Sequence, residues 1–81
     1  MLEEVRNLLG STLKLGARTT SLKADTLLIG NLPELDSMAV VAVITALEEN
    51  FGFTVDDDEI SAETFETLGS LAKFVQAKLG K

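Results

Sequence analysis

Leucine and valine recur at intervals of three and four residues near the start of the chain, from Leu2 to about Leu15. This spacing predicts an amphipathic helix with one buried face. Glu3 and Glu4 fall in its first turn, where the helix dipole favours negative charge, and Gly16 is its expected end. The predicted buried face consists of Leu2, Val5, Leu8, Leu9 and Leu13.

A second helix is predicted from Asp36 or Ser37 to about Asn50, and either of its first two residues carries the side-chain oxygen of an N-cap. No charged residue interrupts this helix before Glu48 and Glu49. Such a helix is either central to the fold or presents an apolar face to a partner. An apolar stripe along it consists of Val40, Val41, Ile44, Leu47 and Phe51, and Met38, Ala39, Ala42, Val43 and Ala46 are apolar too.

The rest of the chain is less periodic until its last third. Arg18–Ser21 is predicted to be a loop, and the leucines that follow predict a connection packed across the core, with a short helical turn near Asp25–Leu28. Ser61–Phe65 has the pattern of a short helix, and Thr67 is the predicted cap of the last one. The predicted fold class is therefore all-α, with three principal helices and one short helix.

The composition and net charge of the chain exclude or disfavour several classes of function. The 81 residues predict a single domain, 1–81, and the lack of Cys and His excludes a disulfide framework and Cys/His zinc ligands. A net charge of -6 disfavours nucleic-acid binding, because phosphate backbones are also negative. No apolar run has the length of a membrane span, and no basic signal peptide begins the chain, so we expect a cytoplasmic location. We also expect the protein to be a monomer. The acidic run Asp56–Glu59 lacks the ligand pattern of an EF-hand, and no metal site is predicted.

Ser37 has two interpretations. A serine before an apolar helical run is commonly only an N-cap. Without His or Cys in the chain, neither a Ser-His-Asp triad nor a thiolate nucleophile can form, so Ser37 is a poor catalyst. It is better suited to be modified by another enzyme, because a phosphate group at a helix N-terminus meets unpaired backbone N–H groups and the positive end of the dipole.

Several stretches resemble the acyl carrier protein family. Leu35–Met38 is similar to its Asp-Ser-Leu signature, with Met in place of Leu, and Ala46–Gly52 follows at the spacing of the family. Val55–Glu59 and Thr67–Leu71 resemble the acidic approach to the third helix and the start of the final helix. The similarity covers essentially the whole chain.

This resemblance implies an acyl-carrier-protein-like bundle and a specific function. A phosphopantetheinyl transferase, using coenzyme A and magnesium, is expected to join 4′-phosphopantetheine to Ser37. The thiol of that arm is then expected to carry acyl groups as thioesters to acyl-activating, acyl-transferring or synthase enzymes, while the carrier itself has no catalytic residues. By position, Asp36 is expected to present the serine, and Met38 to make apolar contacts with partners.

The sequence also departs from the family. Glu34 occupies a position that is commonly Gly, and Ala39 and Ala42 occupy positions that are commonly acidic in fatty-acid carriers. These departures favour a specialised carrier, similar to those of bacterial exosortase and polysaccharide loci, over the housekeeping fatty-acid carrier. The alternatives are a peptidyl or aminoacyl carrier, and a non-carrier interaction module in which Ser37 is a helix cap. The candidate partner-recognition residues are Glu34, Asp36, Met38, Ala39, Ala42, Glu48 and Glu49.

Overall fold

Over the residues that the structure describes, the fold consists of three α-helices and two short 3₁₀ helices. The computed structural model describes residues 1–28, 32, 35–61 and 63–80, without the side chain of Asp57. Helix α1 packs against both other helices, and the predicted all-α bundle is confirmed. The elements are α1 (Leu2–Thr12), a first 3₁₀ helix (Gly16–Ser21), α2 (Ser37–Phe51), a second 3₁₀ helix (Asp57–Glu59) and α3 (Leu68–Lys78).

The core is built from apolar side chains of all three helices and of the connections between them. The described part of the chain buries no polar or charged side chain. Burial of a large apolar side chain stabilises a domain by roughly 1.5–3 kcal/mol. The fully buried side chains are Val5, Leu9, Leu28, Val43, Leu47, Leu68, Leu71 and Val75, with Phe65 nearly so.

Helix α1 ends earlier than its sequence predicts. Its last helical residue is Thr12, and the N–H of the C-cap Leu13 donates to the carbonyl of Leu9 at 2.8 Å. Leu13 and Leu15 are both buried, which requires the chain to turn between them, and Lys14 takes the left-handed conformation with φ 56°. The prediction of a helix to Leu15 with a glycine end is therefore wrong.

The predicted loop at Arg18–Ser21 is part of the first 3₁₀ helix. Hydroxyl groups stabilise it locally, because Thr20 Oγ1 donates to the carbonyl of Ala17 at 3.0 Å and Ser21 Oγ to that of Arg18 at 2.7 Å. A Cβ added to Gly10 would overlap Thr19 Oγ1 at 2.1 Å. Gly10 thus allows this short helix to lie directly on α1.

The buried side of α2 centres on Val43 and Leu47, with Ala39, Val40, Ile44 and Phe51 partly buried around them. Val41 is 64% exposed, so the apolar stripe that the sequence shows is only partly buried. The helix has apolar side chains of its own on all sides, so hydrophobicity alone does not reveal which side faces the core. Gly52 ends the helix in the left-handed conformation, with φ 76°.

Residues 24–28 pair with residues 66–69, and we call these two segments the bridge region. Leu27 and Thr67 form an isolated antiparallel bridge where a helical turn was predicted. Backbone N–H groups of Leu28, Leu68 and Gly69 donate to carbonyls of the opposite segment at 2.9, 3.1 and 2.8 Å. The prediction of a connection packed across the core is confirmed, since Leu22, Leu28, Leu32 and Leu35 are buried.

Helix α3 starts at the predicted cap. Thr67 Oγ1 accepts the N–H of Ser70 at 3.0 Å, and Ser70 Oγ accepts the N–H of Thr67 at 3.0 Å, which forms a reciprocal capping box. The short helix predicted at Ser61–Phe65 is instead a series of turns in the described residues, and the second 3₁₀ helix lies just before it. Phe65 is buried there, as expected for a core aromatic.

None of the helices in the described ranges combines the length and the apolar character that crossing a membrane requires.

Candidate functional site

The start of α2 is fixed by Leu35 and Asp36. Leu35 is buried, and its N–H donates to the carbonyl of Leu32 at 3.0 Å, so the chain enters the helix from an anchored turn. Asp36 is extended, with φ -104° and ψ -174°, and its Oδ1 accepts the N–H of Ala39 at 2.8 Å. Asp36 is therefore the N-cap, which decides between the two caps that the sequence allowed.

Ser37 is the first helical residue of α2, and its side chain is exposed to solvent. Because Asp36 supplies the capping oxygen, the helix does not need the hydroxyl of Ser37. That hydroxyl forms no hydrogen bond with the residues that the structure describes. The interpretation of Ser37 as a helix cap is wrong, and its oxygen is accessible to a second molecule.

The first turn of α2 has the chemistry to accept a phosphodiester. The first N–H groups of a helix lack intrahelical acceptors, and the positive end of the helix dipole lies there. Asp36 uses only the N–H of Ala39 among them. A phosphate ester on Ser37 would therefore meet both unpaired donors and a favourable potential. The residues present fit a covalently attached phosphate-containing group.

An uncharged surface extends from the serine along α2, and we call Met38, Val41 and Ala42 the outer face of this helix. Met38 is 83% exposed and Val41 64% exposed, and Ala42 is also exposed. Ala39 is partly buried against the core. The sequence pattern did not identify Val41 as a surface residue. A helical projection with Val43 and Leu47 at the centre of the buried side would have placed Val41 on the solvent side.

The predicted recognition carboxylates have different surroundings. Glu48 is partly buried, and its Oε2 accepts the N–H of Val55 at 2.7 Å, so it holds the connection after α2 in place. Glu49 is exposed and lines a groove between α1 and α2. Glu34 lies outside the described residues. These neighbouring residues therefore differ in role: the carboxylate of Glu48 stabilises the fold, and that of Glu49 is exposed to solvent.

In the acidic run, Glu59 forms an ion pair with Lys78 of α3, whose Nζ lies 2.9 and 2.8 Å from its two carboxylate oxygens. The hydrogen bond from Lys78 is the main cause that lowers the pKa of Glu59 below its ordinary value. Among the described side chains, no three carboxylates come together as a metal site. The pair serves to attach the second 3₁₀ helix to α3.

A small helical bundle with an exposed serine at the start of a helix that has no charged residue before Glu48 fits a class of protein that presents a covalently attached arm. The family model described as "Phosphopantetheine attachment site" matches residues 3–75 of the chain. The chain belongs to this family, whose prosthetic group is 4′-phosphopantetheine. The alternative of a non-carrier interaction module is thereby set aside.

Comparison with solved structures specifies the type of carrier. The chain is similar to the holo acyl carrier protein of Nitrosomonas europaea, whose structure was determined by solution NMR, with 69% sequence identity and a TM-score of 0.91. The match covers 99% of this chain and 96% of that one. The protein is an acyl carrier protein, as its sequence predicts, and enzymes are its partners.

Proposed function

We propose that Ser37 is the residue to which the 4′-phosphopantetheine arm is attached. The observation that supports this most directly is the separation of roles at the start of α2. Asp36 Oδ1 caps the helix at 2.8 Å from the N–H of Ala39, while the hydroxyl of Ser37 is exposed and forms no bond within the described structure. A phosphopantetheinyl transferase that uses coenzyme A and magnesium is the expected modifying enzyme.

The attached arm supplies a thiol on which acyl groups are held as thioesters. The chain contributes the position of that arm, through the buried anchor Leu35 and the cap Asp36. The chain has no Cys or His, so its own side chains provide neither a thiolate nor an imidazole base. We infer that the protein carries acyl groups without catalysing their reactions.

We infer that partner enzymes approach along the outer face of α2. Its residues lie one to five positions after Ser37, and they offer apolar contact area without charge. Charge near this face comes from Asp36 and, further along, from Glu49. The carboxylate of Glu48 instead accepts the backbone N–H of Val55. Apolar docking favours the specialised carrier over the housekeeping fatty-acid carrier.

Several expectations from the sequence stay predictions. They include the role of Glu34 in partner recognition, a single domain over residues 1–81, a monomeric state and a cytoplasmic location. Similarity to an acyl carrier protein favours acyl over aminoacyl cargo. Mass measurement on protein isolated from its native cell would identify the acyl group.

The attachment proposal is tested by intact-mass measurement. The apo protein is incubated with a phosphopantetheinyl transferase, coenzyme A and magnesium, with a second carrier protein as a positive control for the transferase. We expect one phosphopantetheine increment on the natural chain and none on Ser37→Ala. Ser61→Ala, which removes another exposed hydroxyl, is expected to gain the increment as the natural chain does.

An increment that survives Ser37→Ala would place the arm on a different residue and overturn the proposal. Failure of the natural chain to gain the increment, beside a modified control carrier, would also count against it. Circular dichroism of the variant checks that loss of modification does not reflect loss of the helices.

A further inference from the structure

The two methionines of the chain have opposite surroundings. Met38, the second residue of α2, is 83% exposed, and it is not among the apolar side chains that pack against the core of the described structure. The side chain of Met1 is 7% exposed and packs against that core. Reagents in solution therefore reach the sulfur of Met38 far more easily than that of Met1.

Met38 also differs chemically from the other residues of the outer face. The chain contains no Cys, Trp, Tyr or His, so methionine sulfur is its most easily oxidised group. The hydrocarbon side chains of Val41 and Ala42 do not react with mild oxidants. A peroxide therefore changes the outer face at a single atom, the Sδ of Met38.

We propose that Met38 is a reversible oxidation site that controls docking on the outer face of α2. Hydrogen peroxide transfers one oxygen atom to Sδ: the sulfur gives up two electrons, an S–O bond forms, the O–O bond breaks, and water is released. A methionine sulfoxide reductase reverses the step with a dithiol, which becomes a disulfide while the oxygen leaves as water. The product of oxidation is methionine sulfoxide at position 38.

Oxidation changes the polarity of the outer face without disturbing the core. The sulfoxide oxygen is a hydrogen-bond acceptor, and docking against an apolar surface removes its water without supplying a donor. Because Met38 contributes no packing to the described core, its oxidation is expected to leave the melting temperature unchanged. The reduced protein should therefore dock well and the oxidised protein poorly. This consequence rests on the proposed approach of partners along the outer face.

The first measurement locates the oxidation. The full apo chain is treated with dilute hydrogen peroxide, and peptide mass mapping follows the gain of one oxygen at each methionine. We expect Met38 to react roughly tenfold faster than Met1, in line with their exposures. Sulfoxide reductases of both epimer specificities, supplied with a dithiol, should return the protein to its original mass.

The second measurement compares the polarity of the outer face by hydrophobic-interaction chromatography. Met38→Leu keeps an apolar side chain of similar volume but has no sulfur, and Met38→Gln is polar without any oxidant. Peroxide should shorten the retention of the natural chain toward that of Met38→Gln, and it should leave the retention of Met38→Leu unchanged. No attached arm is needed, so the result does not depend on the mass experiment on Ser37.

The third measurement is the KM of a phosphopantetheinyl transferase for the carrier. Oxidation of the natural chain should raise this KM roughly tenfold, as for the loss of part of the buried area of one Met side chain. Peroxide should not change the KM for Met38→Leu. If the reduced natural chain gains no arm at all, the attachment proposal fails, while the mapping and the retention still decide the oxidation proposal.

The proposal is overturned if the two methionines of the folded chain oxidise at equal rates, or if the reductases do not restore the original mass. It is also overturned if peroxide leaves the retention of the natural chain unchanged, or if it shortens the retention but leaves the KM unchanged. A fall in melting temperature on oxidation of Met38 would contradict its separation from the core.

Discussion

The starts of α2 and α3 use similar residues in different ways. Each helix begins with a side-chain cap, Asp36 or Thr67, and each has a serine within its first turn. Ser70 of α3 is partly buried, accepts the N–H of Thr67, and donates to the carbonyls of Thr64 and Thr67 at 3.0 and 2.8 Å. Ser37 of α2 is exposed and forms no such bonds within the described part of the chain.

The difference shows how a serine at a helix start becomes available for modification. Where the serine itself completes the cap, as at α3, its hydroxyl forms hydrogen bonds that stabilise the fold. Where a neighbouring aspartate supplies the whole capping bond, as at α2, the serine hydroxyl can be changed without affecting the helix. The backbone around α3 is also fixed by the bridge region, whereas the side of α2 next to the serine faces solvent.

Among the substitutions that test this comparison, Ser70→Ala is expected to lower the free energy of unfolding most. The variant leaves the N–H of Thr67 and the carbonyl of Thr64 without their side-chain partner, and we expect a loss of about 2 kcal/mol in the free energy of unfolding. Ser37→Ala should change it by less than about 0.5 kcal/mol, as for an exposed surface position. Urea denaturation of both variants measures the two values. Equal losses would contradict the assignment of one serine to the fold and the other to function.

A smaller effect is expected from Gly69→Ala in the bridge region. Gly to Ala within a helix ordinarily stabilises it by up to about 1 kcal/mol. A Cβ at Gly69, however, would lie 2.9 Å from the carbonyl oxygen of Ala24, and that oxygen belongs to the backbone. We therefore expect a net loss of about 1 kcal/mol, measured by thermal denaturation. Gln76→Ala, at an exposed position of the same helix, is the control, and a stabilised Gly69→Ala would contradict the close contact.

The smallest effect is expected from the Glu59–Lys78 pair, which attaches the far end of α3. The pKa of Glu59 is lowered in the folded protein from the ordinary value of 4.5, mainly by the hydrogen bond from Lys78. Its contribution is therefore present above that ordinary value and is lost as the pH falls through the lower folded pKa. Melting temperatures of the natural chain and Glu59→Gln should differ slightly at neutral pH and converge in acid. Glu63→Gln should show no such convergence.

Local signals in the sequence predicted much of the fold. Thr67 marks the start of α3 by its own chemistry, and the spacing of Val5, Leu9 and Leu13 correctly identified the buried face of α1. The signals failed where position depends on packing between distant segments. The buried side of α2 was ambiguous because the helix has apolar residues on all sides, so the sequence did not show that Val41 is exposed. The first 3₁₀ helix depends on contact between Thr19 and Gly10, which periodicity does not reveal.

The candidate site, too, was predicted only where local signals in the sequence were sufficient. The sequence located Ser37 and Asp36, but it left open which of them caps the helix, since either side chain has the necessary oxygen. It treated Glu48 and Glu49 alike, although one holds Val55 and the other lines the α1–α2 groove. That groove depends on how two helices pack, and no motif marks it.

The bridge region also sets which parts of the molecule open together. Its hydrogen bonds join segments on either side of α2, so they close a loop that contains the whole of that helix. Separating the bridge would expose Leu28 and Leu68, both fully buried, and so requires most of the fold to open. Fraying of the first turn of α2 breaks only a few local bonds and exposes no such side chain. We therefore expect the backbone amides at the helix start that carries Ser37 to exchange with solvent faster than those at the base of its loop.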